Sequence, residues 1–187
     1  GIRGGRIAMV DRDGSRIGVF RAEAGGGLRV IDAEGKAVMP GLINLHNHVA
    51  MALMRSMADD MPLMPWLQEK IWPYEAKLDG DDIYWGAKLG IAEMLMGGTT
   101  TFADMYARSQ RVGEAVEELG IRAVLAPPFI DGRMEAFERE AAEMIGRYHG
   151  SGDGRIGVRI APHAPYTCSP GSIARALRLC ERYGVGV

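Results

Sequence analysis

From residue 41 onward, short apolar runs alternate with longer stretches in which apolar residues recur every three or four positions. The short runs predict buried strands, and the longer stretches predict amphipathic helices. Alternation of this kind is typical of a parallel α/β architecture. The predicted strands cover residues 41–46, 99–104, 121–126, 156–161 and 185–187, and the predicted helices cover residues 79–97, 112–119, 134–148 and 172–183.

The first 39 residues follow a different pattern, because Asp-Gly and Gly-Gly turn signals separate brief apolar runs there. Short strands are predicted at residues 6–10, 16–20 and 28–32. We therefore divide the chain into residues 1–39 and residues 40–187.

The composition is that of an ordinary globular protein, since 47% of the 187 residues are hydrophobic and 25% are charged. A net charge of −2 gives no reason to expect nucleic acid or a membrane surface as a partner. Cys168 and Cys180 are the two cysteines and form no C-x-x-C pair. This usage fits a reducing cytoplasm and argues against a disulfide scaffold.

Two histidines, His46 and His48, stand two residues apart at the end of the first predicted barrel-type strand. Side chains alternate along a strand, so both imidazoles share one face and form a good half of a metal site. Chance pairs of polar residues at strand ends are common, and that alternative stays open from spacing alone. Asp104, Asp131 and His163 follow other predicted strands, and α/β barrels carry their active sites at the carboxyl ends of strands.

Four separated segments carry a resemblance to a known family. The segment VMPGLINLHNH resembles the first barrel strand of the amidohydrolase superfamily. The segments MADDMPLMPWLQEKIWPYEAKL, GGTTTFADMY and APHAPYTCS resemble its branch that contains 5-methylthioadenosine/S-adenosylhomocysteine deaminases, triazine chlorohydrolases and guanine deaminases. The resemblance covers nearly the whole chain, and four blocks together are far more specific than any one.

The resemblance implies an α/β fold in which residues 40–187 form the first half of a (β/α)8 barrel. The four strand–helix units and the start of a fifth compare with eight units and about 250 residues in a whole barrel. Residues 1–39 would be part of a small β-sandwich. We therefore expect a fragment.

The resemblance also implies that His46 and His48 are metal ligands, with the remaining ligands on later strands beyond Val187. The expected metal is Zn²⁺, although Fe²⁺ and other divalent ions suit imidazole sites too. His163 resembles a catalytic, substrate-contacting histidine near the metal. From the residues alone, His163 beside two prolines is also compatible with a structural hydrogen-bonding role, as the less favoured alternative.

Glu75 and Arg133 resemble residues that bind the substrate. Glu75 would accept hydrogen bonds from the ribose hydroxyls of a nucleoside, and its alternative is a solvated carboxylate at a helix start. Arg133 would reach the far end of the substrate, such as an amino-acid carboxylate, and its alternative is a surface arginine. Residues 127–128 are prolines where the related deaminases carry an arginine, which weakens the case for S-adenosylhomocysteine.

The implied function is hydrolytic deamination of an adenine nucleoside such as 5-methylthioadenosine or S-adenosylhomocysteine, in which metal-activated water displaces ammonia. A guanine or other nucleobase deaminase, or a triazine-type chlorohydrolase, would use a related site. A third alternative is an inactive fragment whose metal site is incomplete. We expect a cytoplasmic enzyme with a small-molecule purine nucleoside substrate, and a homo-oligomer stays open.

Overall fold

The computed structural model describes residues 1–187. The chain divides into two units, of which the first is Gly1–Pro40. It opens with an antiparallel hairpin of two short strands, β1 (Ile2–Arg3) and β2 (Arg6–Ile7). Gly4 and Gly5 occupy the turn with φ angles of 55° and 73°, a left-handed conformation that glycine adopts without steric cost. Helix α1 (Ile17–Ala24) follows the hairpin.

Helix α1 corrects the prediction of a strand at residues 16–20, and the predicted strand at residues 28–32 is also absent. No residue of α1 is buried, so local preferences rather than packing decide its conformation. Alanine, glutamate and arginine dominate its second half and favour a helix. The carboxylates of Asp13 and Asp11 accept the backbone N–H groups of Ser15 and Arg16 just before the helix begins.

A parallel sheet forms the centre of the second unit, Gly41–Val187. The strands are β3 (Leu42–Asn47), β4 (Thr99–Met105), β5 (Arg122–Ala126), β6 (Pro128–Phe129), β7 (Ile156–Val158) and β8 (Ala161–Pro162). Four of them pair in the order β3-β4-β5-β7, and β6 pairs with β8, in both cases parallel. The predicted parallel α/β architecture is therefore confirmed.

Helices connect these strands in the predicted order. They are α2 (Leu63–Pro65), α3 (Trp72–Glu75), α4 (Gly80–Met96), α5 (Ser109–Leu119), α6 (Met134–Tyr148), α7 (Ser151–Gly154) and α8 (Pro170–Tyr183). A 3-10 helix at Val49–Met54 follows β3, and a π-helical stretch at Trp66–Ile71 joins α2 to α3. No helix is both long and apolar enough to cross a membrane.

The predicted fourth barrel strand is interrupted, because Arg159 and Ile160 separate β7 from β8. The Arg159 N–H donates to the carbonyl of Leu125, whereas the Ile160 N–H turns to the other side and donates to the carbonyl of Gly186 at 3.1 Å. Residues 185–187 contain no assigned strand, but this bond places Gly186 beside the fourth strand position.

Helix α4 packs closely on the 3-10 helix that follows the histidine pair. A Cβ atom at Gly86 would lie 2.5 Å from the carbonyl oxygen of Ala50, and one at Gly90 would lie 2.8 Å from the Val49 side chain. These two glycines allow the backbones to approach. The contact continues into a core of buried side chains from α4, α5 and the sheet, among them Ile91, Phe102, Val112, Val116, Leu125 and Val158.

Candidate active site

The histidine pair lies at the carboxyl end of β3. The rings of His46 and His48 are 5.1 Å apart between centroids and meet edge to face at 78°. His46 is exposed and His48 is half-buried. Asn47, between them, pairs in register with Asp104 of β4, so the pair lies beside the end of the neighbouring strand.

A backbone carbonyl orients the half-buried member of the pair. The Nδ1 atom of His48 is 2.8 Å from the carbonyl oxygen of Met105. A carbonyl only accepts, so Nδ1 carries the hydrogen and donates it. The lone pair of the neutral ring is then on Nε2, which is the arrangement that metal-binding histidines use.

The buried carboxylate of Asp104 supports the chain just after the pair. Its Oδ1 accepts the backbone N–H of Val49 at 2.6 Å, and the residue is 4% exposed. Burial raises the pKa of Asp104 to about 7, and the bond from Val49 opposes that rise. Asp104 therefore holds the junction between β3 and the 3-10 helix.

Glu75 is linked to the histidine pair through a tyrosine. The hydroxyl of Tyr106 donates to Oε1 of Glu75 at 2.6 Å, and its ring centroid lies 6.3 Å from that of His48. Tyr106 is 8% exposed, and burial, followed by the bond to Glu75, raises the pKa of its phenol. Tyr106 was not predicted as a site residue, although it lies two residues after the end of the predicted strand 99–104.

His163 follows β8 and is held by two hydrogen bonds. Its backbone N–H donates to the carbonyl of Phe129 at 3.0 Å, and its Nδ1 lies 2.8 Å from Oγ1 of Thr167. Burial, and then the charge of His48, lower the pKa of the His163 ring. The neutral form of the His163 ring is therefore favoured.

Arg133 lies apart from these side chains. It is exposed, and its guanidinium carbon lies 5.3 Å from the ring centroid of Phe137, one turn further along the chain. It makes no hydrogen bond or ion pair with His46, His48, Glu75 or His163. Its neighbour Asp131 has a lowered pKa through hydrogen bonds from the Ser172 hydroxyl and the Ser169 backbone.

The remaining histidine and the nearer cysteine have structural contacts. Nδ1 of His149 accepts the backbone N–H of Val158 at 3.1 Å. The thiol of Cys168 is buried and donates to the carbonyl of Phe129 at 3.0 Å, so nothing activates it as a nucleophile.

The side chains at the end of β3 could supply part, but not all, of the ligands of a metal site. A catalytic zinc ion takes about three protein ligands and keeps one position open. No group of three histidine, cysteine, aspartate or glutamate side chains in this chain could hold a metal ion. His46 and His48 provide two imidazole donors, one of them already oriented by Met105.

Comparison with known proteins identifies the family and the fold of the chain. The profile of the Amidohydrolase family matches residues 37–187. A 5-methylthioadenosine/S-adenosylhomocysteine deaminase of Desulfitobacterium hafniense (strain DSM 10664 / DCB-2) is 47% identical over 190 residues, covering 100% of this chain and 43% of the relative. This chain therefore spans less than half the length of that relative.

Solved structures resemble the same part of the chain. An adenosine deaminase from Xanthomonas campestris with bound zinc has a TM-score of 0.73 and 35% identity, covering 79% of this chain and 35% of the other. An atrazine chlorohydrolase from Arthrobacter aurescens TC1, complexed with zinc, has a TM-score of 0.68 and 22% identity, with 78% and 39% coverage. The fold is part of an amidohydrolase barrel, as predicted.

Proposed function

Because this chain belongs to the amidohydrolase family, we propose that it forms the first half of a metal-dependent deaminase that acts on adenine nucleosides. The substrates we propose are 5-methylthioadenosine and, less favoured by the residues present, S-adenosylhomocysteine. The observation that carries the proposal is the connected set of Glu75, Tyr106 and His48, which joins a carboxylate suited to ribose to the histidine pair. The similarity to the 5-methylthioadenosine/S-adenosylhomocysteine deaminase of Desulfitobacterium hafniense supports the same substrates.

His46 and His48 would hold the metal, which we propose to be zinc, as in the Xanthomonas campestris structure, or another divalent ion such as Fe²⁺. When bound, the metal would supply a water molecule of lowered pKa. The bond from His48 to the Met105 carbonyl keeps Nε2 as the ligand atom. His163, whose lowered pKa favours the neutral ring, would contact the purine ring or its amino group.

Glu75 would accept hydrogen bonds from the ribose. A carboxylate can accept two hydroxyl donors at once, and Tyr106 occupies Oε1 from the protein side. A free nucleobase has no ribose, so Glu75 favours a nucleoside over guanine. The chlorohydrolase alternative rests on a likeness that concerns the fold alone.

Arg133 has a weaker case. We propose that it reaches the far end of the substrate, but it is exposed and packs on Phe137. Residues 127–128 are prolines at a position where the family resemblance implies an arginine. With one cation fewer for an amino-acid carboxylate, 5-methylthioadenosine is the preferred substrate.

The chain by itself lacks a third metal ligand, so we propose that activity belongs to the full-length protein rather than to these residues alone. Both cysteines are free thiols, which supports a cytoplasmic location. A homo-oligomer stays a prediction.

The test is ammonia release by the zinc-loaded full-length protein with 5-methylthioadenosine, S-adenosylhomocysteine, adenosine and guanine. We expect turnover of the nucleosides and a large rise in their KM in Glu75→Gln, which removes the charge but keeps the shape. Glu69→Gln changes an exposed carboxylate in the same segment between β3 and α4 and is the matched control. Turnover of guanine alone, or of none of the four, would contradict the proposal.

A further inference from the structure

We infer that Thr167 is a positioning residue that holds the neutral His163 ring in the tautomer with its hydrogen on Nδ1, leaving the lone pair on Nε2. This inference deepens the proposed function and rests on it, because it concerns how His163 would contact a substrate. Thr167 belongs to the loop between β8 and α8 and makes no contact with the histidine pair.

The hydrogen-bond directions follow from the single hydrogen of a hydroxyl. Oγ1 of Thr167 lies 3.2 Å from the carbonyl oxygen of Ala164, to which it donates. That carbonyl can only accept, so we assign the single hydroxyl hydrogen of Thr167 to this bond. Toward His163, 2.8 Å away, Oγ1 can then only accept, which requires a hydrogen on Nδ1.

The backbone around Thr167 is held on both sides, so its hydroxyl has a defined position. The Thr167 N–H donates to the Ala164 carbonyl, and the Thr167 carbonyl accepts the N–H of Asp131, each at 3.0 Å. The Phe129 carbonyl accepts both the Cys168 thiol and the His163 N–H. The ring and the group that orients it are therefore attached to the same strand end.

The resulting Nε2 is a hydrogen-bond acceptor. Burial, aided by His48, favours the neutral ring, and a neutral ring with hydrogen on Nδ1 can only accept at Nε2. An acceptor matches a ring substituent that carries hydrogen, such as the amino group of adenine. It does not match a chloro substituent, so this tautomer selects amino-substituted over chloro-substituted rings.

The experiment is nitrogen NMR of the full-length, zinc-loaded protein with isotope-labelled histidine, because the shifts of Nδ1 and Nε2 identify the tautomer directly. We expect hydrogen on Nδ1 of His163 in the wild type and a mixed or inverted tautomer in Thr167→Val. Thr167→Ser keeps the hydroxyl and should restore the wild-type spectrum. Ser169→Ala removes a hydroxyl from the same loop without contact to His163 and should leave the tautomer unchanged.

Kinetics provide the second readout. We expect kcat/KM for 5-methylthioadenosine to fall about 10-fold or more in Thr167→Val, as for other groups that orient a functional histidine, and to recover in Thr167→Ser. A His163 ring with hydrogen on Nε2 in the wild type would overturn the inference, even in an active deaminase, and this readout remains if Thr167→Val does not fold. The predicted tautomer in a protein without deaminase activity would support the positioning role and contradict the proposed function instead.

Discussion

The buried carboxylate of Asp104 should make stability depend on pH in a direction opposite to that of most carboxylates. Its pKa rises from the ordinary 3.8 to about 7 in the folded protein because burial penalises the charged form. Between these two values the folded chain binds a proton that the unfolded chain has released. Stability therefore falls as the pH rises through this window, and the protonated carboxyl is the stable form below it.

The magnitude follows from about 1.36 kcal/mol for each pKa unit. Raising the pH from 5 to 8 crosses about two of the roughly three pKa units between the two values, so ionisation of Asp104 should cost about 2–3 kcal/mol of unfolding free energy. The bond from the Val49 N–H, at 2.6 Å, is already included in this shift, because it favours the charged form.

The perturbation is Asp104→Asn, which keeps an oxygen for the Val49 N–H and cannot ionise. Urea unfolding at pH 5, 6, 7 and 8 gives the free energy of unfolding for wild type and variant. We expect the variant to gain about 2–3 kcal/mol relative to wild type from pH 5 to pH 8. Asp59→Asn, at an exposed position, gives the effect of one surface charge. A difference between Asp104→Asn and wild type that is flat, or that moves the other way, would refute the reasoning.

Three further changes test other contacts. In the full-length protein, Tyr106→Phe removes the hydrogen bond to Glu75, the carboxylate that we propose binds the ribose, and should raise KM for 5-methylthioadenosine about 10-fold with little change in kcat. An unchanged KM would contradict this role. His48→Asn should lower the zinc content that the protein retains after dialysis, measured by atomic absorption. His149→Asn is the control and should leave the zinc content unchanged. Equal zinc contents in the two variants would contradict the assignment of His48 as a ligand. Gly86→Ala forces a methyl group against the carbonyl of the 3-10 helix and should cost about 1–3 kcal/mol in thermal or urea unfolding. Gly146→Ala, in open space on α6, should stabilise slightly, and similar effects at both glycines would show that the close approach does not matter.

Local sequence signals predicted an element correctly where both partners of the stabilising interaction lie within a few residues of each other. Helix α4 begins with a capping box in which Asp79 accepts the N–H of Asp82, and the Asp82 side chain accepts the N–H of Asp79. The predicted start is therefore confirmed. The same holds for α6, whose predicted range of residues 134–148 is the observed one.

Contacts between distant parts of the chain were not predictable in this way. Helix α5 has no capping side chain of its own, and the carboxylate of Glu140 on α6 accepts the N–H of Ser109 at 2.7 Å instead. Nothing near Ser109 in sequence indicates this partner. Tyr106 and Glu75 are 31 residues apart, and no local sequence signal predicts their hydrogen bond. The prediction at residues 16–20 failed for a different reason. The apolar run there predicted a strand, but it has no packing partner and lies in helix α1.

The end of β4 explains how the candidate site is assembled. Three consecutive residues there each hold a different part: the Asp104 carboxylate bonds the backbone after the histidine pair, the Met105 carbonyl orients His48, and the Tyr106 hydroxyl holds Glu75. Side chains alternate along a strand, so the first and third of these project to the same face while the carbonyl between them lies in the plane of the sheet. The proposed metal ligands and the proposed ribose contact are therefore not independent. A shift of this strand end would move both together, which is why we expect changes near β4 to alter metal retention and nucleoside binding at the same time.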